Sequence, residues 1–175
     1  MTPFVELLAG GDPRKLHGVG SVVDVVLHDP ARFGELMACL DGNDPVVRMR
    51  AADAAEKITR ERPEVLVPYA ADLVRMATAT EQPSLRWHLA QMLPRIRLDP
   101  NQQRAAIALL RRYVEDRSAI VKVSALQALA DLTESDPSLR RTVIAAIRKA
   151  METGTAAVRS RGAKLLDGLE RGRRP

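Results

Sequence analysis

The chain has 175 residues, 46% of them hydrophobic and 3% aromatic, with 27 basic side chains against 22 acidic ones and a net charge of +5. That length suits one domain, or one short repeat array, with a core of its own, and the apolar content excludes a disordered chain. The single cysteine, Cys39, excludes an internal disulfide, and no run approaches the ~18 apolar residues of a membrane span.

At the N-terminus, "TPFVELL" has the form of a short helix, with Thr2 as N-cap and Pro3 in the first turn. No basic segment followed by a long apolar run precedes or overlaps it, so no signal peptide is expected. With Cys39 read as a small buried apolar side chain, these features predict a cytoplasmic protein that does not engage a membrane. The next stretch, "GDPRKLHGVGSVVDVVL", is helical only in its second half, because Gly18 and Gly20 interrupt the first.

From residue 41 the chain repeats itself. The pairs Val47-Arg48, Leu85-Arg86, Val121-Lys122 and Val158-Arg159 lie 38, 36 and 37 residues apart. Four positions beyond each pair's apolar member stand Ala51, Leu89, Ala125 and Gly162, and eight beyond stand Ala55, Leu93, Leu129 and Leu166. Such spacing places them on one face of a helix, the A helix of each unit. A second register starts at Pro30, Pro63, Pro100 and Pro137, where a proline can occupy a first helical turn without losing a hydrogen bond. Behind them, Leu36, Tyr69, Ala106 and Val143, and then Leu40, Leu73, Leu110 and Ile147, form the buried stripe of a B helix. The expected pairs cover residues 45–60 with 64–77, 82–97 with 101–114, and 118–133 with 138–151, closed by one helix over 156–170. The last helix collects its large apolar residues at Val158, Leu165, Leu166 and Leu169 and carries Arg161, Lys164 and Arg171 opposite, as a cap would. The array is therefore expected to end with the chain.

The segment "DPVVRMRAADAA" at residues 44–55, with its echoes at 82–93, 118–129 and 155–166, resembles the HEAT repeat. The similarity spans roughly residues 12–170. It implies an all-α fold, a right-handed α-α superhelix (α-solenoid) of about four HEAT-like repeats in one domain, 1–175. The units would be a degenerate one at 1–40, repeats at 41–77, 78–114 and 115–151, and a capping helix within 152–170. It also implies that the B helices line the concave side. Acid–base pairs would tie the inter-repeat loops: Asp41 with Arg48, Glu81 with Arg86, Asp116 with Lys122 and Glu152 with Arg159. HEAT arrays serve many roles, so the resemblance speaks to fold more than to function.

Catalytic signatures are absent from the sequence. His17, His28 and His88 have no metal-ligand spacing, and no Walker loop, GxGxxG, GxSxG or HExxH segment occurs. HEAT-like folds include alkylpurine DNA glycosylases, which set aromatic and acidic residues on a basic concave face. Here Trp87 falls on an A helix, in register with Met49, Val123 and Ser160, where it packs between repeats. The only mid-helix acid on a B helix of the full repeats is Asp72. The sequence thus predicts no enzyme, no cofactor and no metal.

Charge is unevenly placed. Residues 1–100 hold 12 basic and 14 acidic side chains, a net −2, whereas residues 101–175 hold 15 and 8, a net +7. The last two B helices carry Arg104 and Arg141, Arg111 and Arg148, and Arg112 and Lys149 at matching offsets from their prolines. These six residues are the candidate binding site. Because no aromatic residues interleave them, an acidic protein or peptide is the expected partner, with nucleic acid second.

Overall fold

The computed structural model describes residues 2–172 and consists, among them, of ten α-helices joined by turns, with no strand. In chain order they are α1 (Phe4–Leu8), α2 (Val19–His28), α3 (Phe33–Leu40), α4 (Pro45–Glu61), α5 (Ala70–Ala79), α6 (Pro83–Met92), α7 (Pro100–Val114), α8 (Ala119–Ser135), α9 (Arg140–Thr153) and α10 (Ala156–Glu170).

Local chemistry sets most of these boundaries. Asp44 caps α4, accepting from the amides of Val46 at 2.7 Å and Val47 at 3.2 Å, and Pro45 fills the first helical position. Asp99 and Gln102 form a reciprocal capping box, so α7 is α-helical from Pro100 onward. The other three register prolines behave differently. Pro30, Pro63 and Pro137 open tighter 3-10 turns that lead into α3, α5 and α9. At Pro63 the turn extends to Tyr69, because Pro68 lacks the N–H that an α-helix would need there. Pro94 likewise stops α6 at Met92, short of the expected residue 97, and residues 93–95 form a 3-10 turn.

The helices form two layers. α2, α4, α6, α8 and α10 pack each against the next, and α3, α5, α7 and α9 lie over them, with α5 and α7 also in contact. The apolar residues picked out by both registers meet in one continuous core. Leu85, Leu89 and Leu93, and likewise Val121, Ala125 and Leu129, are all buried, while Leu166 is half-buried. Gly162 admits α9: a Cβ there would lie 2.6 Å from the Met151 side chain. Tyr113 of α7 donates its hydroxyl to the carbonyl of Ala77, and burial pushes its pKa to about 12.

The N-terminal unit departs from the sequence expectation. Thr2 does not cap α1; Pro3 stands at the cap position, and the Phe4 amide donates to Glu35 Oε1 at 2.6 Å instead. Gly18 sits at φ 74°, and a Cβ there would come within 1.9 Å of the Leu7 carbonyl oxygen, so "GVG" is a packing glycine. The segment from Leu8 to Lys15 is held by Arg50, which is fully buried. Its guanidinium donates to the carbonyls of Lys15 (2.9 Å), Leu8 (2.6 Å), Gly10 (2.7 Å) and Asp12 (2.8 Å).

The expected acid–base ladder exists at one rung. Arg86 pairs with Glu81 at 2.6 Å and with Asp116 at 2.8 Å, and donates to the Thr80 carbonyl at 2.9 Å. Arg48 instead donates to Thr80 Oγ1 at 3.1 Å, while Asp41 pairs with Arg75 at 2.9 Å. Since Arg86 takes Asp116, Lys122 forms no ion pair among the described residues, and Arg159 turns to the Gly154 carbonyl.

Candidate functional site

All six candidate cations are exposed, Arg104, Arg111 and Arg112 on α7 and Arg141, Arg148 and Lys149 on α9. Alternation with the buried Ala106, Leu109, Leu110, Val143 and Ile147 turns them outward. They do not form one patch. Arg111 and Lys149, with Lys122 of α8, rim a groove of about 480 Å³ between α7 and α9, floored by Val114, Ala146 and Ala150. Arg141 and Arg148 lie on the opposite flank of α9, beside Glu170.

Repeat geometry explains this division. Arg111 and Arg148 occupy the same offset, so each faces the direction in which the next outer helix would come. For Arg111 that helix is α9; for Arg148 there is none among the described residues, and Glu170 takes the place at 2.8 Å. Lys149 faces backwards and reaches Glu115, the C-cap of α7, at 3.7 Å. Arg75 does the same with Asp41, the C-cap of α3. For Arg112 the corresponding C-cap, that of α5, is the uncharged Thr80. Arg104 donates to Asn101 Oδ1. Arg111, Arg112 and Arg141 make no ion pair among the described residues.

A second polar system, unremarked in the sequence, runs along the inner layer. Three positions beyond each Val-Arg valine or its equivalent stand Arg50, His88, Ser124 and Arg161; six beyond stand Asp53, Gln91, Gln127 and Lys164. The third position of α6, His88, meets the sixth of α4, Asp53. His88 Nδ1 donates to the Ser84 carbonyl at 2.6 Å, and its Nε2 lies 3.4 Å from Asp53 Oδ1, whose partner oxygen takes Lys57 at 2.6 Å. Glu56, almost wholly buried, accepts from Arg60 at 2.8 Å and from Arg95. Arg95 also donates to Thr59 Oγ1 at 2.7 Å and to the Glu56 carbonyl at 2.6 Å. Trp87 is half-buried, packed against the core and stacked on His88 at 3.4 Å between ring centroids. Asp72 lies on the exposed face of α5 and pairs with Arg75 at 3.2 Å.

These acids titrate in opposite directions. Burial pushes Asp53 up, but hydrogen bonds from His88 and Lys57 and the Lys57 charge outweigh it, so its pKa is lowered. Glu56 is lowered in the same way: burial opposes, and Arg60 and Arg95 prevail. Asp131 is raised, because burial outweighs the hydrogen bond from Gln127. A lowered carboxyl contributes stability that is present above its unfolded pKa and lost as pH falls through its folded one; a raised carboxyl contributes stability that is lost as pH rises through its folded pKa. The melting temperature should therefore fall as the pH drops through and below the ordinary carboxylate range, as Asp53 and Glu56 are protonated. Asp131→Asn should melt above the wild type at neutral pH, by a margin that shrinks in acid. An unchanged margin across that range would mean that burial does not raise the Asp131 carboxyl.

No three His, Cys, Asp or Glu side chains converge on a point where a metal ion could sit, among the described residues. Burial pushes the Cys39 thiol up, which disfavours the reactive thiolate. No helix of the described residues is long and apolar enough to cross a membrane. No protein-family model matches the chain, and no curated protein matches it.

Proposed function

We propose that the chain is a non-catalytic, HEAT-like interaction module that binds an acidic protein or peptide on the α7–α9 surface. The observation that carries the reading is a groove with an apolar floor rimmed by Arg111, Lys122 and Lys149, with Arg112 on α7 and Arg141 on the far flank of α9 also exposed and without an ion pair among the described residues. Cations rim the groove and small apolar side chains floor it, which suits a segment that alternates acids with small apolar residues.

The inner layer packs each helix tightly on the next, whereas α7 and α9 stand apart across their groove. The partner would dock across α7 and α9.

Charge reversal tests the reading. Arg111, Arg112, Arg141 and Lys149 changed together to Glu should leave helicity and melting nearly unchanged. Exposed changes cost little, and the exposed Lys149–Glu115 pair contributes at most about 1 kcal/mol. Fluorescence anisotropy with a labelled poly-glutamate peptide should show wild-type binding that salt weakens and the variant abolishes. Equal binding by the variant defeats the site. Tighter wild-type binding to single-stranded DNA, with the steeper salt slope of counterion release, defeats the acidic-polypeptide partner.

A further inference from the structure

The charges of the α7–α9 groove gather at one of its ends. Arg111 and Glu115 stand at the C-terminal end of α7, Lys149 at that of α9, and Lys122 in the first turn of α8. Lys149 and Glu115 pair at 3.7 Å and offset each other. Arg111 and Lys122 line the same groove and make no ion pair among the described residues, so it holds two uncompensated positive charges. Two helix C-termini and one N-terminus meet here, and their dipoles partly cancel, so the side-chain charges decide the sign of a guest.

A single carboxylate would leave one of the two charges unmet. A phosphomonoester brings close to two negative charges at neutral pH, with three acceptor oxygens on one centre. Two of those oxygens can take the forked guanidinium of Arg111 and the third the ammonium of Lys122. A nucleic acid is less well matched, because no aromatic side chain lines the groove and a base has no platform to stack on. Val114, Ala146 and Ala150 instead offer an apolar floor to small side chains beside the phosphate.

We propose that the groove recognises a phosphoserine or phosphothreonine in its partner, with the phosphate on Arg111 and Lys122 and neighbouring small residues over the apolar floor. The inference rests on the acidic-polypeptide reading of the α7–α9 surface and names the residue that the groove selects.

The test is fluorescence anisotropy of the full chain with three labelled peptides of alternating alanine and glutamate, whose central residue is phosphoserine, glutamate or serine. The phosphoserine form should bind about tenfold more tightly than the glutamate form, through one further charged hydrogen bond. Its affinity should rise with pH through about 6, where the phosphate gains its second charge, while the glutamate form stays level. No histidine lines the groove to titrate in that range. Arg111→Ala and Lys122→Ala should each weaken the phosphoserine form about tenfold at wild-type helicity, and Lys164→Ala, exposed on α10, should not. Glu115→Gln releases Lys149 to the phosphate and should tighten it. Equal binding of the phosphoserine and glutamate forms overturns the inference and leaves the acidic-polypeptide reading standing; no binding by any of the three removes both. The inference also falls if the two alanine variants bind as the wild type does. It falls too if inorganic phosphate competes as well as the phosphopeptide, or single-stranded DNA competes better, since the groove would then take a free or a nucleic-acid phosphate.

Discussion

Arg50→Met should release the N-terminal segment from the rest of the protein. The side chain is fully buried and donates to four backbone carbonyls across residues 8–15. Hydrogen bonds from a charged donor contribute about 1.5–3 kcal/mol each, and carbonyls stripped of their donor keep the cost of desolvation. The four are not additive, because the segment escapes to water once it lifts away, so the expected loss is about 3–5 kcal/mol. Phe4 and Leu8, both fully buried, would be exposed together with it. Hydrogen exchange should report lost protection across residues 4–17 while α6 to α9 stay protected, and limited proteolysis should cut first within residues 9–17. Arg50→Lys should rescue little, since one ammonium cannot span four carbonyls as the guanidinium does. Wild-type protection in the methionine variant would show that the segment is held by its apolar contacts alone.

Leu129→Ala should be the second most damaging change. Leu129 is 1% exposed and lies on α8, the helix that touches α6, α7, α9 and α10. Close packing prevents the site from collapsing, so the cost should be about 2–5 kcal/mol. Repeat stacks gain stability from neighbour interfaces, so the loss should spread to both sides of α8. In urea, the midpoint should fall without a change in slope if unfolding stays cooperative. Leu166→Ala, at the matching register position on α10 but only half-buried, should cost less. Equal costs would show that the central and terminal helices are equally covered.

The helices from α4 onward were legible in the sequence because their signals are local. Asp44-Pro45 and Asp99-Pro100 carry both a cap and a first-turn proline, and the Val-Arg and proline registers place the buried stripes at Leu85, Leu129 and Leu110. The exposure of the six basic residues followed from the same periodicity, since an offset from a buried stripe determines the side of a helix. What periodicity leaves open is what a neighbouring element does with that side. Only the packed structure separates Arg111 and Lys149, which share a groove, from Arg141 and Arg148, which flank Glu170. The ladder reduced to Arg86 for the same reason: pairing depends on which of two arginines reaches Thr80 and Asp116 across an interface. Arg50 reads in sequence as one more charge on an A helix, yet it is buried because carbonyls some 40 residues earlier converge on it. A charge is buried or exposed according to the partners that tertiary packing brings to it, and a cleft around Gln127, Asp131 and Arg161 exists only where the ends of α4, α6 and α8 meet the side of α10.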